Sequence, residues 1–254
     1  MIATRPRWFV SSLFALAAPL DCTNSQAPAV ARVEEIHVSP STANAAITSF
    51  TADHHVYVPL DPADHGNRIM LLLPGTGGAP VNARDVARVA AEQGYRAIGL
   101  MYVDDRAVVN ECAGDADPEC MAKMREEIVT GNAVSPHVTV DHANSIDGRL
   151  ASLIAWLAAQ LPSEHWDQFL MADGSPRWDA IAVGGLSQGG GHAAYIAKLR
   201  AVPRVVMFGA PADGFGGAPA PWMQIGATPA SRYYGFHHAR DPFTSIDANW
   251  AALG

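Results

Sequence analysis

Charge is scarce in this chain. Asp, Glu, Lys and Arg make up 17% of its 254 residues, the net charge is −8, and no cluster of Lys or Arg offsets that balance. Phosphate backbones are held by such clusters, so the sequence argues against a nucleic-acid partner. Cysteine is scarcer still: there are three, with no Cys-x-x-Cys pair or neighbouring His pair of the kind that holds zinc. Nucleotide-binding patterns are missing too. Gly75-x-Gly77 is followed by Pro80 where a dinucleotide loop has its third glycine, and no Gly-Lys-Ser/Thr occurs. No apolar run spans a bilayer comfortably. What is present is a chain with 49% apolar residues, of a length that suits a single α/β domain, and its net charge leaves small neutral or cationic ligands open.

The N-terminus has the layout of a secretory signal peptide. Arg5 and Arg7 precede an apolar run over residues 8–18, and a polar stretch then leads to Ala27-Pro28-Ala29, which suits cleavage after Ala29. Residues 1–29 are therefore expected to be the signal peptide and residues 30–254 the folded domain of a periplasmic or secreted protein. Cys22 raises a lipoprotein alternative, against which stands Pro19-Leu20-Asp21 where Leu and small residues are usual. Cleavage leaves Cys112 and Cys120, eight residues apart in a polar loop, where they form either a disulfide or two free thiols. An oxidising compartment favours the disulfide. The acidic residues of that loop, Asp115, Asp117 and Glu119, fit a calcium loop poorly. Counted from Asp115, Glu126 takes the twelfth position, but Cys120 replaces the glycine required at the sixth.

Strand and helix patterns alternate along the rest of the chain. A weak strand signal at residues 35–38 is followed by residues 56–59, which read as an edge strand because Pro59 cannot donate to a ladder. The almost wholly apolar residues 68–73 read as a strand buried on both faces. A helix is expected over residues 82–93, capped by Asn82 and ended by Gly94, and then a strand over residues 95–103. Helices over residues 121–128 and 145–161, strands over 204–209 and 231–237, and a helix starting at Ser245 complete the reading. The alternation predicts a doubly wound, mostly parallel α/β sheet with helices on both faces.

The most informative stretch is Gly185-Leu186-Ser187-Gln188-Gly189, which fits Gly-x-Ser-x-Gly. In that pattern a serine tops a sharp strand-to-helix turn, and flanking glycines relieve the crowding. Both flanks agree, since residues 179–183 read as a buried strand and residues 192–199 as a helix packed on a sheet. Ser187 is the candidate nucleophile. Between residues 211 and 229 lies a loop rich in glycine and proline with two aromatics, Phe215 and Trp222, which either touch a substrate or pin the loop.

The strand entering Pro74-Gly75-Thr76-Gly77-Gly78, the elbow at Ser187 and His238-Ala239-Arg240-Asp241-Pro242 after a late strand together resemble the α/β-hydrolase family from residue 56 onward. The resemblance implies a serine hydrolase acting on a carboxylic ester through an acyl-enzyme, with no cofactor and no metal. It makes Asp241 the acid of the triad and the backbone N–H groups of Gln188 and Thr76 the oxyanion donors. It also implies a histidine downstream of Asp241, because a serine hydroxyl is a poor nucleophile until a base takes its proton. Residues 242–254 contain none, so the expectation is that the last strand and the base lie beyond Gly254. The alternative is a non-catalytic binding protein on the same fold. His237, His238, His192, His137 and His142 are poor substitutes by chain order.

Overall fold

Short apolar runs separated by glycine, proline and polar turns join into one sheet in the computed structural model of the protein. The structure describes residues 32–254 apart from 62, 64 and 225; the expected signal peptide and Cys22 lie outside the described residues. The first elements are β1 (Val33–Val38), the single turn α1 (Pro40–Ala43), β2 (His54–Pro59) and β3 (Ile69–Leu73). α2 (Arg84–Glu92) and β4 (Arg96–Gly99) complete the first strand-helix-strand unit, and α3 (Val108–Glu111), α4 (Cys120–Thr130) and α5 (Ile146–Gln160) follow. β5 (Ile181–Leu186), α6 (Gln188–Leu199) and β6 (Val205–Phe208) form the second unit. A small hairpin of β7 (Gly214–Phe215) and β8 (Ala218–Pro219) then precedes β9 (Tyr233–Phe236) and α7 (Ile246–Leu253).

Seven strands form the main sheet in the order β1-β2-β4-β3-β5-β6-β9. β1 and β2 pair antiparallel, as do β2 and β4, and every later pairing is parallel. Alternate residues of the central strands serve opposite faces. Ile69, Leu71, Ile98, Ile181 and Val183 join a large core with Leu150, Leu153 and Ile154 of α5 and Ala193 and Ile196 of α6. Met70, Leu72, Ala97 and Ala182 face the other way, against Ala87 and Ala91 of α2. Helices on both faces explain why these strands are apolar throughout rather than alternating. One expectation is corrected: β2 is internal, because β1 takes the edge, and Pro59 sits at the last rung opposite Val33.

Local chemistry sets the helix ends. Ser145 Oγ accepts from the Gly148 N–H at 3.1 Å and caps α5, as its position before an apolar run predicts. The helix expected from residue 82 instead opens with a 3₁₀ turn at Pro80–Ala83, where Asn82 Oδ1 accepts from the Ala79 N–H at 2.6 Å. The loop after β4 is less irregular than its composition predicts, since it holds α3. Cys112 and Cys120, at the ends of α3 and the start of α4, form a disulfide with 5.8 Å between their Cα atoms. In the same loop Asp115 accepts from His137 at 2.8 Å and Asp117 from Lys123 at 2.7 Å. No described helix is long and apolar enough to cross a membrane.

Candidate active site

Ser187 stands at the junction of β5 and α6 with φ 51° and ψ −119°, a conformation that a side chain makes costly. Its N–H donates to Phe208 O at 2.8 Å and its carbonyl accepts from Gly191 N–H at 3.0 Å, so both neighbouring elements hold the turn. The glycine at 189 is a steric requirement, because a Cβ there would lie 2.1 Å from the Leu73 carbonyl oxygen. The helix can start this close to β3 only without a side chain at that point.

The turn after β3 comes up against the elbow. A Cβ on Gly75 would lie 3.4 Å from Ser187 Cβ and 3.2 Å from Leu186 O, which places this turn in contact with the serine. Thr76 Oγ1 donates to Gln188 Oε1 at 3.1 Å, and the same oxygen accepts from the Val108 N–H at 3.0 Å. The Gln188 side chain thus ties together the two segments whose backbone N–H groups were assigned to the oxyanion. Being first in α6, Gln188 has an N–H with no acceptor within the helix. Gly77 N–H donates to Asp104 O at 2.8 Å and Tyr102 O–H to Pro74 O at 2.8 Å, which fixes the turn from the β4 side. Burial pushes the carboxyl of Asp104 up to about 6.

Asp241 follows β9 on the other side of the elbow. Its Oδ2 would be 3.3 Å from a Cβ on Gly209, and its Oδ1 accepts from the Phe243 N–H at 3.0 Å. The histidines nearby are otherwise engaged. His237 Nε2 lies 2.9 Å from Asp247 Oδ1, with its ring edge-on to Trp250. His238 Nδ1 accepts from the Arg240 N–H at 3.1 Å. His192 is fully buried in α6 beside Tyr102, and desolvation holds its imidazole neutral, well below the usual range.

Two cavities meet at this point, and Gly209 borders both. The larger, about 360 Å³, is walled by Leu72, Val86, Leu186, Phe208 and Phe236, with His237, His238 and Asp241 at its polar end. The smaller, about 90 Å³, is lined by Thr76, Asn110, Arg125, Ser187, Gln188 and Asp213. Trp222 and Phe215 line neither. Trp222 is buried, and its Nε1–H donates to Asp213 Oδ2 at 3.0 Å, so it pins the loop from within rather than meeting a ligand. Phe215 is exposed on the β7–β8 hairpin.

The sequence reading missed a buried ion pair beneath the elbow. Arg125 of α4 donates through Nε to Asp213 Oδ2 at 2.6 Å and through Nη2 to Oδ1 at 2.5 Å, and its Nη1 reaches Gln188 O at 3.3 Å. Both side chains are almost wholly shielded from solvent. A buried charge is tolerable when paired and fully hydrogen-bonded, and here the pair also positions the first residue of α6. Arg125 and Asp213 are 88 residues apart, and Arg125 shares its helix with Lys123, Glu126 and Glu127, so no local signal marked the pair.

A mostly parallel sheet with an antiparallel β2, a strained serine between β5 and α6 and an acid after a late strand define an α/β-hydrolase fold. No family model matches the sequence, and no curated protein matches it. Among solved structures the chain is similar to EstE1, a thermophilic and thermostable carboxylesterase cloned from a metagenomic library, at 16% identity and a TM-score of 0.38. The match covers 75% of this chain and 51% of that one, so the chain spans about half the length of that structure. The strand order and the elbow, rather than this likeness, define the fold.

Proposed function

We propose that the protein is a serine hydrolase that cleaves a carboxylic ester through an acyl-enzyme on Ser187. The observation that carries this reading is the backbone of Ser187 itself, held at φ 51° by hydrogen bonds from both flanks at the mouth of a cavity. Strain of that kind persists where the surrounding structure over-determines it, and it lifts the hydroxyl clear of the sheet. In the proposed reaction the Gln188 and Thr76 amides receive the oxyanion, and loss of one such donor typically removes about 3 kcal/mol of transition-state stabilisation. By the family resemblance Asp241 would orient a histidine general base for the Ser187 proton, a role that none of His192, His237 and His238 takes in this arrangement. The apolar cavity supports an ester whose acyl or alcohol group is hydrophobic, and the Cys112–Cys120 bridge supports export to an oxidising compartment.

One observation favours a second reading, a binding protein on the same fold: His192, His237 and His238 are each buried or bonded elsewhere. Hydrolysis of a p-nitrophenyl ester series by the purified protein separates the two. Turnover abolished by Ser187→Ala supports the enzyme, and saturable ester binding without turnover supports the binding protein.

A further inference from the structure

The edge ribbon of the sheet carries a second cluster of chemistry, three strands away from β5 in the sheet order and outside both cavities. Glu35 and His37 lie two apart on β1 and so share a face. Across the antiparallel ladder His37 is paired with His55 and Glu35 with Tyr57, which brings His55 to the same face. Glu35 Oε1 is 2.9 Å from His37 Nε2 and 3.3 Å from His55 Nδ1, and the three ligand atoms all lie within 4.8 Å of one another.

From these distances we infer that Glu35, His37 and His55 form a binding site for a divalent transition-metal ion, zinc being the best fit. Donors on a tetrahedral zinc with bonds of about 2.0–2.1 Å are separated by about 3.3 Å, close to the two Glu35–His spacings already present. Two imidazoles and one carboxylate suit zinc and its first-row neighbours, whereas calcium and magnesium take oxygen ligands. The surroundings also fit. Tyr57 O–H donates to Glu35 Oε1 at 3.0 Å and fixes the carboxylate, the outer support that ligating groups commonly have. Arg88 stays 4.0 Å from the other oxygen, Oε2. The His37 and His55 rings stack with centroids 4.0 Å apart, so binding requires the His37 ring to turn. His37 is about half exposed, which leaves it free to do so and leaves a fourth position open to water.

Such an ion clips β1 to β2 and ties the edge strand to the sheet. Its role is structural and independent of the ester chemistry at Ser187. Because the site exists only when β1 and β2 are paired, metal binding adds to folding stability. Among the described residues one other cluster qualifies, Cys112, Cys120 and His137, but its two sulfurs are already joined to each other.

The test is titration of the tag-free, chelator-stripped full chain with Zn²⁺, followed by calorimetry and thermal unfolding, with Co²⁺ as a spectroscopic probe. One equivalent is expected to bind, raise the melting temperature and give the visible absorption of a tetrahedral Co²⁺ centre. Glu35→Gln and His55→Ala should each weaken binding by about 100-fold and abolish the thermal shift, while His137→Ala leaves both unchanged. His37→Gln, at a half-exposed position, gives the same readout should His55→Ala fail to fold. Absence of saturable binding, or wild-type affinity in the Glu35→Gln and His37→Gln variants, overturns the site.

Discussion

The two cavities flanking the elbow share Gly209 but little of their chemistry. One is about 360 Å³ with walls of Leu72, Val86, Leu186, Phe208 and Phe236; the other is about 90 Å³ and is floored by Arg125, Asp213 and Gln188. The large side has room for a hydrocarbon group and offers it few hydrogen bonds. The small side is occupied by its own polar network, which holds the start of α6 in place. In the proposed hydrolase, selectivity therefore belongs to the apolar side of the elbow and rigidity to the polar side.

Substitutions on the two sides should consequently fail in different ways. The largest effect is expected on the polar side. Asp213→Ala strands the buried Arg125 guanidinium, and denaturant unfolding should show a loss of about 3–5 kcal/mol. Trp222→Phe keeps an aromatic ring in place but removes the indole N–H from Asp213 and leaves a small cavity. It should lose about 1.5–3 kcal/mol in the same assay and leave the preference among ester chain lengths unchanged. A shifted preference would instead restore Trp222 as a substrate contact. On the apolar side, Val86→Glu should leave stability near wild type and lower kcat/KM for long-chain relative to short-chain esters by about tenfold, the equivalent of one to two buried methylenes. A uniform loss across all chain lengths would assign that cavity to something other than the substrate.

The remaining effect is in pH dependence. Burial drives His54, whose Nδ1 accepts from the Met101 N–H at 3.0 Å, down to about 3. The folded value lies below the unfolded one near 6.5, so between those limits the unfolded chain takes up the proton and stability falls as pH drops. Asp104 acts in the opposite sense. Its carboxyl is raised from 3.8 to about 6, so its contribution is present below pH 3.8 and is lost as pH rises through 6. His54→Gln should therefore flatten the acid limb of the stability profile, and Asp104→Asn should stabilise more at pH 8 than at pH 4. An unchanged pair of profiles would mean that neither group is held as described.

The elbow was legible because all its determinants lie within about twenty consecutive residues: a buried strand, glycines on either side of Ser187 and a helix pattern. β3 was legible from its five consecutive apolar residues. The strand expected over residues 95–103 is shorter, since β4 ends at Gly99 and Leu100 to Val103 are buried as loop rather than sheet. Apolar sequence reports burial, and pairing is decided by neighbours that the run does not contain. The antiparallel ribbon was obscured for the same reason: Pro59 signals a missing donor, but whether β1 covers that side is a tertiary fact. Arg125 with Asp213, and Glu35 and His37 with His55, are assembled across 88 and 20 or fewer residues by the sheet and its loops, leaving no local period to read. Trp222 was ambiguous because an aromatic in a glycine-rich loop serves a ligand or a core equally well until its neighbours are known.

The central claim is that Ser187 is an activated nucleophile. The direct measurement is labelling of the protein with a fluorophosphonate, read by intact mass and peptide mapping. One adduct on the peptide containing Ser187, absent in Ser187→Ala and strongly slowed in Asp241→Ala, is the predicted result. An unlabelled protein, or an adduct that persists in Ser187→Ala, would contradict it.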